Sequence, residues 1–270
     1  MKTFIIVFLL LQILGCSSPA VKNDRYAKAN GFSKHEIMGT DFTHVVYLNR
    51  LRGQSHWHVY IDGDGRPWRG RYVISPDPTT ANPLMLRLMA KDASPSIYLG
   101  RPCYHGMVSE SACQAWVWTH GRYSEAVVTS MAAALNELIQ RQQIEELTLI
   151  GHSGGGTLAM LLAEHLQQTK MLVSIAGNMD INQWSLKHGY SHLSGSLNPV
   201  DRPMLPQSIT QFHFMGMQDE NVSLEPVQRL KNTHPNLNYI KVESAGHESG
   251  WDDYYCQLLQ LTGSRCLPMN

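Results

Sequence analysis

The chain has 270 residues, of which 22 are lysine or arginine and 22 are aspartate or glutamate, so its formal net charge is zero. A chain of this length can bury one substantial core, and length alone does not require a second domain. Balanced charge without long runs of either sign gives no indication of a basic surface for nucleic acid, and we expect no nucleic-acid partner.

The N-terminal stretch MKTFIIVFLLLQILGC has the layout of an export signal. Its apolar part is too short to span a bilayer comfortably, which is typical of a secretory signal. Residues 13–16, ILGC, resemble the lipobox of bacterial lipoproteins, in which cleavage precedes a cysteine that is then acylated. The resemblance implies a signal peptide over 1–15 and a membrane anchor through a lipid on Cys16. With Ser17 next, it implies an outer-membrane lipoprotein of the bacterial cell envelope, facing the periplasm or the exterior. An ordinary signal peptide with an incidental cysteine is the alternative.

The first predicted elements of the folded part are strands. Residues 16–35 are polar and turn-rich, and we expect a tether there that leads into a folded domain over 36–270. The segments THVVYLNR (43–50) and HWHVYIDGDG (56–65) predict two strands joined by a polar turn, and PSIYLG (95–100) predicts a third.

The rest of the chain predicts helices and strands in alternation. Apolar residues at helical spacing predict a helix over 123–142. Further strands are predicted at 147–150, 171–177, 210–216 and 238–244, and further helices at 224–231 and 251–261. This alternation predicts an α/β fold with a mostly parallel sheet, helices on both faces and a ligand site beyond the carboxyl ends of the strands. The segment 178–208 leaves room for a small cap at most.

The stretch LTLIGHSGGGTLAMLLAEHL (147–166) places one serine, Ser153, in a glycine-rich corner between a predicted strand and a predicted helix. Glycine permits positive φ and close backbone approach, so a G-x-S-x-G corner can hold its serine in a strained turn. The helix N-terminus that follows favours a developing anion. A P-loop is excluded because Thr157 stands where its lysine is required. The corner therefore predicts that Ser153 is a nucleophile.

A serine nucleophile needs an adjacent base and a third group that orients the base. His247 follows the last predicted strand in a glycine-containing loop and is the predicted base. Asp219 lies just past a late strand and is the predicted acid. Glu220, Asp180 and Asp201 are alternative acids, of which Asp180 leaves the preceding strand; we favour Asp219.

Across about residues 43–262, the order of these motifs resembles the α/β-hydrolase superfamily. The resemblance implies the α/β-hydrolase fold, a Ser-His-Asp triad with an acyl-enzyme intermediate, and an oxyanion hole with the amide of Gly154 as one donor. The segment DGRP, which starts at Asp64, resembles the His-Gly-x-Pro loop of many hydrolases. On that alignment the amide of Arg66 is the second donor, and Gly63 and Asp64 are the alternatives.

Three further segments, GNMDINQW, GSLNP and AGHESGW, resemble a group of uncharacterised exported bacterial hydrolases that are often lipoproteins. The sequence therefore predicts a serine hydrolase that acts on a small-molecule ester, thioester or amide and needs no cofactor. The alternatives are a serine peptidase of the same fold and a non-catalytic envelope or binding lipoprotein. Nothing in the sequence indicates a protein partner.

The cysteines favour disulfides over a redox or metal site. Five are present, and assigning one to the lipid leaves two pairs, each ten residues apart. This spacing favours Cys103–Cys113 and Cys256–Cys266, although four cysteines permit three connectivities. Disulfides agree with export. His56 and His58 stand on one face of a predicted strand without a third ligand, so we expect no metal site.

Overall fold

The computed structural model describes residues 17–49, 51, 53–232 and 234–268. The predicted signal peptide over 1–15 and the predicted lipid attachment at Cys16 lie outside the described residues and stay predictions. In the described part of the chain, no helix has the length and apolar character that a membrane span requires.

Strands and helices alternate along most of the described chain. The strands are β1 Ser33–Met38, β2 Thr43–Leu48, β3 His56–Ile61, β4 Trp68–Arg69, β5 Val73–Ile74, β6 Ser96–Leu99, β7 Glu146–His152, β8 Thr169–Ile175, β9 Thr210–Gly216 and β10 Leu237–Val242. The α-helices are α1 Pro19–Ala29, α2 Leu84–Met89, α3 Ala115–Trp118, α4 Glu125–Gln142, α5 Gly154–Leu162, α6 Ile181–His188, α7 Glu225–Lys231 and α8 Trp251–Leu261. Short 3₁₀ turns lie at Met107–Ser109 and Pro199–Asp201.

One large sheet runs through the described chain in the order β1-β2-β6-β3-β7-β8-β9-β10, and β4 and β5 form a separate small hairpin. The pairs that join β6, β3, β7, β8, β9 and β10 are parallel, whereas β1–β2 and β2–β6 are antiparallel. Because β6 lies between β2 and β3, the first two predicted strands are not neighbours. The predicted α/β class with a mostly parallel sheet is confirmed.

Buried side chains alternate between the two faces of the sheet, as the period-two geometry of a strand requires. On β3, Val59 and Ile61 belong to one hydrophobic cluster and Tyr60 belongs to the other. Helices α4 and α5 contribute to the first cluster, and α2 and α8 contribute to the second. Helices thus cover both faces, and the central strands are shielded from water on both sides.

The segment that was expected to be a tether, 16–35, is folded from Pro19 onward. Ser18 caps α1 by accepting a hydrogen bond from the Val21 amide at 3.4 Å, and Pro19 occupies the first helical position. β1 then pairs with β2 along its whole length. The tether prediction is therefore wrong for most of its range, and the folded domain begins before residue 36.

Residues 16–35 have the composition of a tether because α1 and β1 each bury only a narrow face. α1 buries Ala20, Asn23 and Ala27, and β1, at the edge of the sheet, buries Ile37. The remaining side chains face solvent or are half-buried, so the composition is polar even though the backbone is regular.

Both predicted disulfides are present. Cys103–Cys113 closes the loop ahead of α3, and Cys256–Cys266 joins α8 to the C-terminal tail, with Cα atoms 5.5 and 5.4 Å apart. The tail lies beside the end of α2, where the amide of Leu267 donates to the Lys91 carbonyl at 2.7 Å. The second disulfide therefore ties α8 to a tail that contacts the segment after α2.

Candidate active site

The corner between β7 and α5 holds Ser153 in a strained backbone conformation. Its φ and ψ are 54° and −120°, a combination that is unfavourable for a residue with a side chain. A Cβ at Gly151 would lie 2.1 Å from the Gly155 carbonyl oxygen, and a Cβ at Gly155 would lie 2.1 Å from that of Ile61. The glycines are needed because the helix crosses so close to the strands.

The structure brings the three predicted catalytic side chains together. His247 Nε2 lies 3.0 Å from Ser153 Oγ, and His247 Nδ1 lies 2.9 Å from Asp219 Oδ2. The other oxygen of Asp219 accepts the amides of Asn221 and Val222 at 2.7 and 2.9 Å. This is the serine–base–acid chain that a hydrolase triad requires.

The surroundings of Asp219 fix the proton on His247. Burial alone would raise the pKa of Asp219, but the hydrogen bond and charge of His247, together with the two amide donors, lower it below its usual range. The carboxylate therefore stays ionised and accepts the Nδ1–H of His247. Nε2 is then the free acceptor, which is the state that can remove the Ser153 proton.

The alternative acids have other partners. Asp180 caps α6 by accepting the Gln183 amide at 3.0 Å, and it pairs with Arg229 at 2.8 Å. Asp201 accepts a hydrogen bond from Asn198 Nδ2 at 3.0 Å. Glu220, the remaining alternative, is exposed to solvent. Of the candidate carboxylates, Asp219 is the one that contacts His247.

Two of the other serine–histidine contacts involve a buried histidine and lie away from the main cavity. His44 Nε2 is 2.9 Å from Ser130 Oγ, but its Nδ1 donates to the Gly100 carbonyl rather than to a carboxylate. Both side chains are fully buried, and burial lowers the pKa of His44 to about 4. We assign this pair to the core.

The second contact resembles a triad more closely. Ser264 Oγ is 3.2 Å from His58 Nε2, and His58 Nδ1 is 2.5 Å from Asp92 Oδ2. However, Asp92 and His58 are buried, and Asp92 also accepts the Tyr60 hydroxyl. Among the described residues, neither this group nor the Ser130 pair lines the main cavity. The contacts of His58 therefore anchor the C-terminal tail.

A cavity of about 480 Å³ opens beside Ser153 and His247. Its walls come from the loop after β3, the β4–β5 hairpin and the segment that begins with α6, which forms the small cap. The side chains that shape it include Trp68, Arg71, Tyr72, Arg122, Trp184, Tyr190 and Leu193. The lining combines aromatic side chains with charged ones, and a concave site of this volume is typical of a small-molecule pocket.

The oxyanion-hole prediction is partly corrected. The amide of Arg66 donates to the Pro78 carbonyl at 2.8 Å, so it is not available to a substrate oxygen. Gly63 and Asp64, the alternatives, have amides without a hydrogen-bond acceptor among the described residues. A Cβ on Gly63 would lie 3.2 Å from the Cβ of Ser153. Gly154, at the first position of α5, has an amide that the helix leaves free.

The sequence did not reveal why Asp64 stands in this loop. Its carboxylate pairs with Arg101 at 2.6 Å and with Arg122 at 2.7 Å, and it accepts the Tyr123 hydroxyl. Burial would raise the pKa of Asp64, but the two guanidinium groups hold it well below its usual range. A Cβ on Gly154 would collide with this carboxylate. The ion cluster thus fixes the loop beside Ser153 and Gly154.

In the described part of the chain, no three histidine, cysteine or acidic side chains lie close enough together to hold a metal ion. The two histidines of β3 are bound elsewhere. His56 Nε2 is 2.8 Å from Thr148 Oγ1, and His58 contacts Asp92.

Comparisons with known proteins support the fold. Residues 88–181 match the model of the lipase (class 3) family, a span that includes Ser153 but neither Asp219 nor His247. No curated protein matches the chain.

Solved structures resemble the chain along most of its length. The Pyrococcus furiosus esterase Pf2001 has a TM-score of 0.61 at 14% identity and covers 93% of this chain and 95% of its own. XC6422 from Xanthomonas campestris, described as an α/β serine hydrolase without a lid, has a TM-score of 0.55 at 13% identity, with 88% and 96% covered. The Bacillus subtilis carboxylesterase CesB has a TM-score of 0.57 at 9% identity, with 91% and 99% covered. At such identities the likeness shows the fold, and the predicted α/β-hydrolase fold is confirmed.

Proposed function

We propose that this chain, which has the α/β-hydrolase fold, is a serine hydrolase that cleaves a small-molecule acyl ester. The supporting observation is the hydrogen-bonded series of Ser153, His247 and Asp219 at the wall of the 480 Å³ cavity. Thioesters and amides have the same acyl chemistry. The ester is favoured because the family match is to a lipase family and the similar structures include enzymes described as esterases.

In the first half of the reaction, Ser153 Oγ bonds to the acyl carbon while His247 Nε2 takes its proton. Asp219 stabilises the imidazolium that forms. The negative charge on the acyl oxygen is stabilised by the amide of Gly154 and by the free amides of the loop at 63–64. His247 then gives the proton to the leaving alcohol as the bond to it breaks.

Water completes the cycle. It attacks the acyl-enzyme while His247 accepts one of its protons, and the acid product leaves as the proton returns to Ser153 Oγ. Every proton in this cycle is carried by Ser153, His247, water or the leaving alcohol, so the reaction needs no cofactor.

The decisive experiment is labelling with a fluorophosphonate probe. We expect wild-type protein to be labelled and Ser153→Ala protein to remain unlabelled at equal folded fraction, checked by circular dichroism. Absence of labelling in folded wild-type protein would favour the non-catalytic binding role. A panel of acyl esters, thioesters and short peptides then separates esterase from peptidase activity by kcat/KM.

We also propose that the protein is exported and anchored by a lipid on Cys16. The lipobox-like sequence at 13–16 supports this, and two disulfides agree with an oxidising compartment. Cys16→Ser should release the protein from membranes or block its processing. Wild-type protein that is soluble after cleavage at another residue would contradict the anchor.

A further inference from the structure

Asn221 connects the triad to the cap helix α6 through all four of its polar groups. Its amide donates to Asp219 at 2.7 Å, and its carbonyl accepts the Nε2–H of His188 at 2.7 Å. Its side-chain Oδ1 lies 3.1 Å from Trp184 Nε1, and its Nδ2 lies 3.0 Å from His247 Nε2. The same residue therefore touches the acid, the base and two side chains of α6.

The contact with Trp184 determines which way the Asn221 side chain faces. An indole N–H can only donate, so the atom beside it must be the oxygen of the amide. The NH₂ group of the amide is then directed at His247 Nε2. Although nitrogen and oxygen of an amide are easily interchanged, this hydrogen-bond partner removes the ambiguity.

The orientation has a consequence for the base. Nε2 of a neutral imidazole has one lone pair, and both the Ser153 hydroxyl and the Asn221 NH₂ group lie 3.0 Å from it. After the proton of Ser153 has moved to Nε2, that N–H faces the NH₂ group of Asn221. Two donors then face each other, which disfavours the imidazolium unless the amide turns over.

Trp184, the cap residue that holds the Asn221 side chain, also lies in the wall of the cavity. The Trp184 ring contacts the tilted rings of His188 and Tyr190 at centroid distances of 5.6 and 5.1 Å, and Trp184 and Tyr190 line the cavity. A group that fills this side of the cavity touches the residue that holds the Asn221 side chain in place.

We propose that Asn221 is a positioning residue through which Trp184 of the cap helix controls how readily His247 accepts the Ser153 proton. This inference rests on the proposed function. While Trp184 holds the amide, the NH₂ group favours neutral His247. When that hydrogen bond is lost, the amide can turn and present its oxygen to the imidazolium.

Other groups near His247 do not explain such an effect. Asp219 contacts its Nδ1, and the ring of His152 lies 5.1 Å away. Burial, followed by the charge of His247, lowers the pKa of His152 to about 4, so it is neutral in the working range. Glu248, which follows His247, accepts a hydrogen bond from Asn82. His188 of α6 donates its Nε2–H to the carbonyl of Asn221. None of these groups changes in the variants used below.

The test measures the rate of Ser153 labelling by a fluorophosphonate across pH. Asn221→Leu keeps a similar volume but removes the NH₂ group. We therefore expect the acidic limb of the pH profile of the labelling rate to move to higher pH. On that limb the labelling rate should fall about threefold to tenfold, while the plateau rate is maintained or rises. Trp184→Phe keeps a ring but removes the indole N–H, and it should move the limb in the same direction.

A double variant that combines Trp184→Phe with Asn221→Leu distinguishes an effect of Trp184 through Asn221 from an effect of altered packing. If Trp184 acts through Asn221, Trp184→Phe adds nothing to Asn221→Leu, whereas independent effects add. Leu186→Ala is the control on α6, because Leu186 is 84% exposed and should leave the profile unchanged. An acid limb that does not move in folded Asn221→Leu protein, or additive shifts in the double variant, overturns the proposal.

A second measurement does not depend on turnover. The His247 ring nitrogens can be titrated by NMR in histidine-labelled Ser153→Ala protein with and without Asn221→Leu. An upward shift of the His247 titration supports the inference, and an unchanged titration refutes it. Failure of wild-type labelling would instead contradict the proposed function, so the two failures are distinguishable.

Discussion

Replacing Asp219 by asparagine tests the acid of the proposed triad. One oxygen of Asp219 accepts the amides of Asn221 and Val222, and an asparagine oxygen can keep both bonds. The new NH₂ group would then face His247 Nδ1, which the carboxylate contacts at 2.9 Å. To accept that donor, the imidazole must carry its proton on Nε2, and it can no longer accept the proton of Ser153.

The loss of acylation rate in Asp219→Asn follows from the hydrogen bond that is removed and the tautomer that is reversed. Removing a hydrogen bond to a charged group costs about 1.5–3 kcal/mol, and we take the reversal of the tautomer to cost about as much again. The sum of about 3–6 kcal/mol corresponds to a loss of roughly 10²–10⁴ in the acylation rate. The same change in a serine protease lowers kcat by roughly 10⁴. Glu220 is exposed and does not replace the lost carboxylate.

Single-turnover acylation at matched folded fraction is the appropriate assay. Asp180→Asn is the matched control, because Asp180 caps α6 and pairs with Arg229. Weakening that cap should lower stability by about 1 kcal/mol and leave acylation within a few-fold of wild type. A crippled Asp180→Asn beside a nearly normal Asp219→Asn would refute the assignment of the acid.

Three further predictions concern stability. Asp64→Asn leaves two buried arginines without their carboxylate, so chemical denaturation should show a loss of about 3–5 kcal/mol; a loss below about 1 kcal/mol would contradict the role of the cluster. Burial raises the pKa of Asp62 to about 7, so the folded state holds a proton that the unfolded state releases near pH 4. Stability should therefore fall between about pH 4 and 7 and then level off, and Asp62→Asn should reduce this fall, as thermal melts across pH can show. Replacing Cys256 and Cys266 by serine should cost about 2–3 kcal/mol, and an unchanged Tm would refute that contribution.

The three residues of the proposed triad could be selected from the sequence because each follows a strongly patterned element. Ser153 stands between a continuous apolar strand and a helix, and the predicted helix at 251–261 after His247 matches α8 in both bounds. Burial on both faces gives such strands an apolar sequence, and the strand order then brings their carboxyl ends together.

Features that depend on side-chain contacts across the fold were not predictable. Arg66 fitted a known loop pattern, but whether its amide is free depends on Pro78, which reaches it through the tertiary fold. Asn221 looked like an ordinary residue after the acid, because its partner Trp184 belongs to a distant segment. The sequence before β2 predicts a tether because a peripheral helix with a narrow buried face has the composition of a linker.

The strand order also affects how the protein is made. Ser153 follows β7, in the interior of the sheet, whereas His247 follows β10 at the sheet edge. A ribosome therefore adds Ser153, the proposed nucleophile, almost a hundred residues before His247, the proposed base. A nascent chain can fold its central strands while its serine is still an ordinary alcohol. On the proposed mechanism, the site is complete only late in synthesis, when β10 has paired with β9 and the loop before α8 has brought His247 to Ser153.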